Sequence, residues 1–395
     1  MQRTFPLQWF QILALLALYV SGFASATTEM PLSAPTQPTP HIALLLPINS
    51  PSLGAAAEAV HQGFMAAASA LHAGLPIRVY SDYDEDAYHT AIANGAVAVV
   101  GPLTRDKIRQ LADEKSLPVP TLALNIIEGP APPQMYFFGM AIEAEAQQVA
   151  RLAREQNLKQ AIVITDGDSL ARRLQYSFEE QWTASGGAIS REIDFTGDTS
   201  VFADITATPD SMVFFATDAE KSRLIRPYLP NGLAVYATSQ IFSGNSDTLL
   251  NFDFDGVHFV DMPWLMQADQ SAVAAYPRAN PPLSTDQERL YALGIDAYNL
   301  IQILLANQIN TALPLDGVTG RVSLKGNTFG REATPSLFAQ GHAQSADAPL
   351  APVVPMFPGQ FKNASDAEAA STVEAASSVG AATPVEAAPP VEPQP

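Results

Sequence analysis

The residue types that carry out covalent or metal chemistry are sparse in this chain, and poorly spaced for it. Among its 395 residues there is no cysteine, which removes thiol catalysis, disulfides and cysteine-ligated metals. The six histidines, at positions 41, 61, 72, 89, 258 and 342, include no pair three or four residues apart and no H-E-x-x-H. Two imidazoles on one helix face need that spacing, so no metal is expected. The acidic run Asp82-Tyr83-Asp84-Glu85-Asp86 lacks the glycine and terminal glutamate of a calcium loop and reads as a solvated loop. Neither G-x-G-x-x-G nor G-x-x-x-x-G-K-[ST] occurs, and no Lys or Arg follows the first turn until Arg78, so a nucleotide cofactor has no cradle. No G-x-S-x-G marks a nucleophile elbow. Nothing points positively to an enzyme, although two carboxylates could still meet in a cleft from separate loops.

A set of polar residues at the expected carboxyl ends of strands remains. Asn49, Ser50, Thr104, Asn125, Asp166, Ser239 and Asp261 are the candidates for binding a ligand. Each also has a local reading as a cap or turn residue, because Ser, Thr, Asn and Asp favour such positions on backbone grounds alone. Asn49 or Ser50 is expected to cap the first helix with Pro51 in its first turn, and Thr104 to cap a later one.

The elements that position these residues follow from hydrophobic periodicity. Residues 42–46 form a continuous apolar run, as in a strand buried on both faces. Ala57, Val60, Phe64, Ala67 and Leu71 then recur at helical spacing. The alternation continues with strands at 77–80, 96–100 and 119–124, a helix at 87–93, and another with Ile108, Leu111 and Ala112 on its core face. A second series begins with the helix of Ile142, Ala146, Val149 and Leu152. Strands at 161–165, 189–195, 212–216, 233–237 and 257–260 follow, with a long helix through Leu170 and Phe178. Such alternation predicts right-handed βαβ units and parallel sheets, and two series of similar size predict two lobes. A late helix carries Leu290, Leu293, Ala297, Leu300 and Leu304 on one face, and residues 317–324 read as a turn and short strand.

The formal net charge of −19 disfavours nucleic acid as a partner, and anionic lipid on the same ground. Arg3, the apolar stretch at 9–20 and Ala24-Ser25-Ala26 form the three parts of a signal peptide, with cleavage expected after Ala26 and no transmembrane segment thereafter. The expected address is the periplasm, without lipidation because no Cys is present. Residues 27–40 read as a Pro/Thr/Ser tether, and residues 343–395, rich in Ala, Pro, Glu, Ser and Val, as a disordered tail.

Several stretches, LLLPINSPSLGAAAEAVHQGF, VVGPLTRDKI, LALN at 122–125, YFFGM with IEAEAQQVAR, and FDGVHFVDMPWL, resemble in this order the LppC/LpoA family of penicillin-binding-protein activators. The similarity is to that family's C-terminal domain over about residues 41–335, and GVHFVDMPW at 256–264 discriminates best. The resemblance implies the type I periplasmic-binding-protein fold, an α/β architecture of two Rossmann-like lobes with parallel sheets joined by several crossings. It assigns residues 41–141 plus 265–312 to lobe I and 142–264 plus 313–342 to lobe II. It implies a non-enzymatic regulator of a peptidoglycan synthase, with a class A penicillin-binding protein as partner. The alternative is a solute receptor for an amino-acid-type ABC transporter, with a small polar ligand in the inter-lobe cleft. Receptors of that kind usually carry Ser or Thr followed by Ala-Thr where this chain has Ala123-Leu124-Asn125.

Overall fold

The computed structural model describes residues 38–347, apart from 72, 73 and 85. The expected signal peptide, most of the tether and the tail beyond residue 347 lie outside the described residues. Among the described residues, fifteen strands run in chain order: β1 His41–Leu46, β2 Ile77–Ser81, β3 Ala96–Val100, β4 Thr121–Ala123, β5 Met135–Phe138, β6 Gln160–Thr165, β7 Ala188–Asp194, β8 Ser211–Ala216, β9 Ala234–Ala237, β10 Val257–Asp261, β11 Leu315–Asp316, β12 Arg321–Lys325, β13 Thr328–Glu332, β14 Thr334–Ala339 and β15 His342–Ser345. Among the described residues, the helices of seven residues or more are α1 Gly54–Ala70, α2 Ala87–Ala93, α3 Arg105–Ala112, α4 Ile142–Glu155, α5 Ser169–Ala184, α6 Ala219–Ile225 and α7 Thr285–Leu305.

The strands form two sheets, ordered β11-β12-β13-β5-β4-β3-β1-β2 and β15-β14-β10-β9-β8-β6-β7. Within each, five consecutive strands run parallel, β1 to β5 and β6 to β10, in the same relative order, 2-1-3-4-5. The order reverses between β1 and β3 in the first sheet and between β6 and β8 in the second, and ligands of open α/β sheets bind outside the carboxyl ends at such a reversal.

The apolar runs do what two-sided burial requires. In β1, Ile42, Leu44 and Leu46 pack into one core with Val60 and Phe64 of α1, while Ala43 and Leu45 face Tyr88, Ile108 and Leu111 across the sheet. In β6, Ile162 and Ile164 join Phe215 and Phe259 on one face, and Ala161 and Val163 join Val149 and Phe178 on the other. Helix α7 packs on α1 in the first lobe, and glycine sets how closely. A Cβ on Gly63 would lie 1.9 Å from the Tyr291 carbonyl oxygen, and one on Gly294 would lie 2.1 Å from that of Val60. No helix among the described residues is long and apolar enough to cross a membrane.

The chain passes between lobes three times: after β5, after β10 and between β13 and β14. The GVHFVDMPW stretch is the second of these crossings. Asp261 ends β10 in the second lobe, and three residues later Trp264 is fully buried in the core of the first. There its backbone N–H donates to the Val318 carbonyl, and Nε1 donates to Glu288 at 2.6 Å.

Three expectations about boundaries change. Residues 315–332 do not lie with the second lobe: β12 pairs antiparallel with β13, and β13 extends the first sheet beside β5. Residues 334–345 alone join the second sheet, where β14 pairs antiparallel with β10. Residues 343–345 belong to strand β15 rather than to a disordered tail, because a two-residue turn at Gln340 and Gly341, with φ of 53° and 73°, folds them back onto β14. Trp264 belongs to the first core, so the lobe boundary falls before it.

Candidate functional site

The candidate residues separate into two environments. Ser50, Asn49, Thr104, Asn125 and Asp166 lie in turns at the carboxyl ends of strands beside the two order reversals. Ser239 and Asp261 lie at the ends of β9 and β10, beside the crossings, and are buried.

In the first environment the side chains are engaged locally. Ser50 is buried; its Oγ accepts from the Leu53 N–H at 3.1 Å and from the Tyr83 hydroxyl at 3.1 Å, shaping the turn that leads into α1. Asn49 is exposed next to it. Thr104 occupies the N-cap position of α3, but its side chain does not make the expected capping bond. Asn125 fastens two loops together: Oδ1 accepts from the Ile126 N–H at 2.9 Å and from Arg105 Nε at 3.4 Å, and Nδ2 donates to the Leu103 carbonyl. Asp166 accepts from the Asp168 N–H, and Asp168 in turn caps α5 through the Ala171 N–H at 2.7 Å.

Beside these turns the two lobes enclose a cleft of about 920 Å³. The first lobe contributes Arg105 and Arg109 of α3 and the apolar Ile126 and Ile127; the second contributes Arg172 and Arg173 of α5. Arg173 pairs with Glu143, Arg172 with Asp194 at 3.2 Å and Arg109 with Asp106 at 2.9 Å. These pairs are open to solvent, so each holds its geometry weakly. The wall also carries Glu128, Glu143 and Glu180, so the cleft presents exposed charges of both signs.

In the second environment, charges are buried. Asp261 is 1 % exposed and Arg289, reaching over from α7, is 6 %. Arg289 donates to both Asp261 oxygens, at 3.2 and 2.6 Å, and to the carbonyls of Ser239 and Phe242. The Ser239 N–H donates to Glu145 Oε2 at 3.0 Å, and Glu145 pairs with Arg331 of β13 at 2.5 Å. Ser239 therefore links two ion pairs, and each pair has one partner on each lobe. Gln148 adds a reciprocal clamp on the third crossing, donating to the Ala333 carbonyl at 2.7 Å and accepting from its N–H at 2.9 Å. Burial pushes the Asp261 carboxyl above its usual range, against the pull of the Arg289 guanidinium beside it. A cavity of about 250 Å³ adjoins the pairs, with Met140, Met262 and Leu290 in its wall.

Arg289, Glu145 and Arg331 sit within helices and a strand, where a search for polar strand ends does not reach. The available signal was a charge inside an otherwise buried helix: α7 runs from Tyr291 to Ala297 without an exposed residue, yet it carries Arg289 just before that run and Asp296 within it. Asp296 accepts from the Val318 and Thr319 N–H groups and the Thr319 hydroxyl, which anchors the strand β12 segment to α7. Among the described residues no group of three or more His, Asp or Glu is placed to hold a metal ion.

A family model described as "LppC putative lipoprotein" matches residues 28–203 and 203–334. The chain belongs to the LppC family. Penicillin-binding protein activator LpoA of Aliivibrio fischeri is 27 % identical to this LppC protein over 267 residues, which are 57 % of this chain and 43 % of the relative. The chain thus spans about half the length of the curated relatives it matches. A solved structure from Chromobacterium violaceum, described as "a putative branched-chain amino acid ABC transporter", is 35 % identical with a TM-score of 0.67, covering 75 % of this chain and 99 % of that one. The LpoA C-domain of Haemophilus influenzae, described as a regulator of PBP1A, matches with a TM-score of 0.64 at 23 % identity, over 77 % of this chain and 99 % of that domain. The fold is the two-lobed α/β periplasmic-binding-protein type shared by these structures.

Proposed function

We propose that this LppC protein regulates peptidoglycan synthesis in the periplasm by binding a class A penicillin-binding protein, and that it catalyses no reaction itself. The observation that carries this reading is the LppC match across residues 28–334 together with relatives named as penicillin-binding protein activators. Two features of the site support it. The lobes are tied by two buried ion pairs and the Gln148 clamp, which favours a body of fixed shape presenting a surface to a partner. Asn125 spends its amide on the Leu103 carbonyl and the Ile126 N–H instead of facing a ligand amine and carboxylate. Purified protein is expected to bind its own organism's class A synthase and to raise the rate of glycan polymerisation or cross-linking. Absence of both binding and rate change would sink the proposal.

A solute receptor is the second reading, favoured by the 35 % identical structure described as part of a branched-chain amino acid transporter. It would place a small polar ligand in the 920 Å³ cleft, with its carboxylate toward Arg105. A thermal-shift screen of amino acids separates the two, because a ligand at 100 times its Kd stabilises by about 2.7 kcal/mol. A flat screen removes the receptor reading.

A further inference from the structure

A second cavity, of about 160 Å³, opens in the first lobe between α2 and α3, at the carboxyl ends of β1 and β2. Its walls are of two kinds. Leu45, Ala87, Pro102 and Leu111 supply apolar surface, and Asp82, Asp84, Asp86 and Glu114 supply acids. Asp86 and Glu114 both lie near one imidazole: His89 Nδ1 is 3.8 Å from Asp86 and Nε2 is 3.7 Å from Glu114. Asp82 differs from the other acids. It is 4 % exposed, and its Oδ2 is buried with no hydrogen-bond partner. Burial pushes its carboxyl up, and the charge of Lys107, also on the cavity wall, pulls against this without a hydrogen bond to that oxygen.

A carboxylate buried with one oxygen short of a donor is costly, and a cation held against the group offsets more of that cost than a neutral partner does. The described acids are not grouped as a metal site, and the apolar wall would do nothing for a hydrated ion. It suits an alkyl chain instead. The volume is close to the engineered cavity of about 150 Å³ that takes benzene, so about six non-hydrogen atoms fit. We propose that this cavity binds a small primary alkylamine as its ammonium ion, with the ammonium on Asp82 and the chain against Leu45 and Leu111. The site is separate from the inter-lobe cleft and from the crossings, and it does not depend on the regulator reading.

The test is isothermal titration calorimetry of the full chain with n-butylammonium chloride, against 1-butanol and against sodium chloride at matched ionic strength. Saturable binding of one butylammonium per chain is expected, with no saturable heat from butanol or sodium. Asp82→Asn, which keeps the shape and removes the charge, should weaken binding at least about tenfold, equivalent to about 1.4 kcal/mol. Lys107→Gln, which removes the resident cation, should tighten it. Equal heats for sodium or butanol, or binding unchanged in a folded Asp82→Asn, would overturn the assignment. Should Asp82→Asn fail to fold by circular dichroism, the wild type and Lys107→Gln decide, and no binding by either overturns it. The peptide Gly-Lys-Gly tests whether the ammonium belongs to a lysine side chain; binding of the peptide but not of butylammonium would refute a free amine as the ligand.

Discussion

The crossings between the lobes and the cleft in front of them use the same residue types in opposite ways. At the crossings, Arg289 and Arg331 are buried, each bonded to a carboxylate from the other lobe and to backbone carbonyls. In the cleft, Arg172 and Arg109 are more than half exposed and pair with acids that are also exposed. A buried pair fixes geometry, because separating it strands a charge away from water. An exposed pair exchanges readily with solvent or with a partner's charges. The difference assigns fixed geometry to the crossings and exchangeable charge pairs to the cleft.

Breaking the buried side should produce the largest effect. Arg289→Ala leaves Asp261 uncompensated, and a loss of about 3–5 kcal/mol is expected in urea unfolding. A double replacement, Arg289→Met with Asp261→Leu, should recover most of that loss; if it does not, the carbonyls of Ser239 and Phe242 depend on the guanidinium more than Asp261 does. Gln148→Ala removes both bonds to Ala333 on the third crossing. With the Ala333 N–H and carbonyl left without these partners, a loss of about 1–3 kcal/mol is expected by the same measurement.

The strand β10 sharpens the comparison by pH. It carries Asp261, which is paired, and His258, which stacks on Tyr236 and whose basicity burial lowers from the ordinary 6.5. A histidine with a lowered pKa takes up its proton more readily in the unfolded chain. Its contribution to stability is therefore present above pH 6.5 and is lost as the pH falls through the folded value. One proton limits the slope to about 1.4 kcal/mol per pH unit. Unfolding midpoints measured from pH 7.5 down to 5 should fall for the wild type, and the fall should be shallower in His258→Gln.

The smallest stability change belongs to the cleft. Arg105→Ala and Arg172→Ala are expected to shift unfolding by no more than about 0.5 kcal/mol. If the proposed class A synthase docks on the cleft, the same variants should slow its association and flatten the salt dependence. A large stability loss in either variant, or unchanged association in both, would erase the contrast between cleft and crossings.

Legibility from sequence followed the same division. Strands β1, β3, β6 and β8 and helices α1, α4, α5 and α7 could be read because burial on two faces, or on one helical stripe, imposes an apolar pattern. Strand β5 is four residues long after a Pro-rich loop, and β13 to β15 alternate buried and exposed positions, so no apolar run announces them; the short strand expected at 317–324 is β12, whose place in the first sheet the sequence does not carry. Polar residues at strand ends could be located by type, but their partners could not. Asp261 was visible as an acid after a strand, while its partner Arg289 lies 28 residues away on a helix of the other lobe.

The sequence by itself determined the two βαβ series, the direction of their strands and the absence of any cysteine, since periodicity and composition are local properties. Only the tertiary structure decided that β11 to β13 extend the first sheet, that Asp261 and Glu145 each meet an arginine from the opposite lobe, and that one oxygen of Asp82 is left without a donor. Pairing across the lobes depends on where three chain crossings bring distant segments, and burial of a charge depends on everything packed around it. Neither property is carried by any short stretch of the chain.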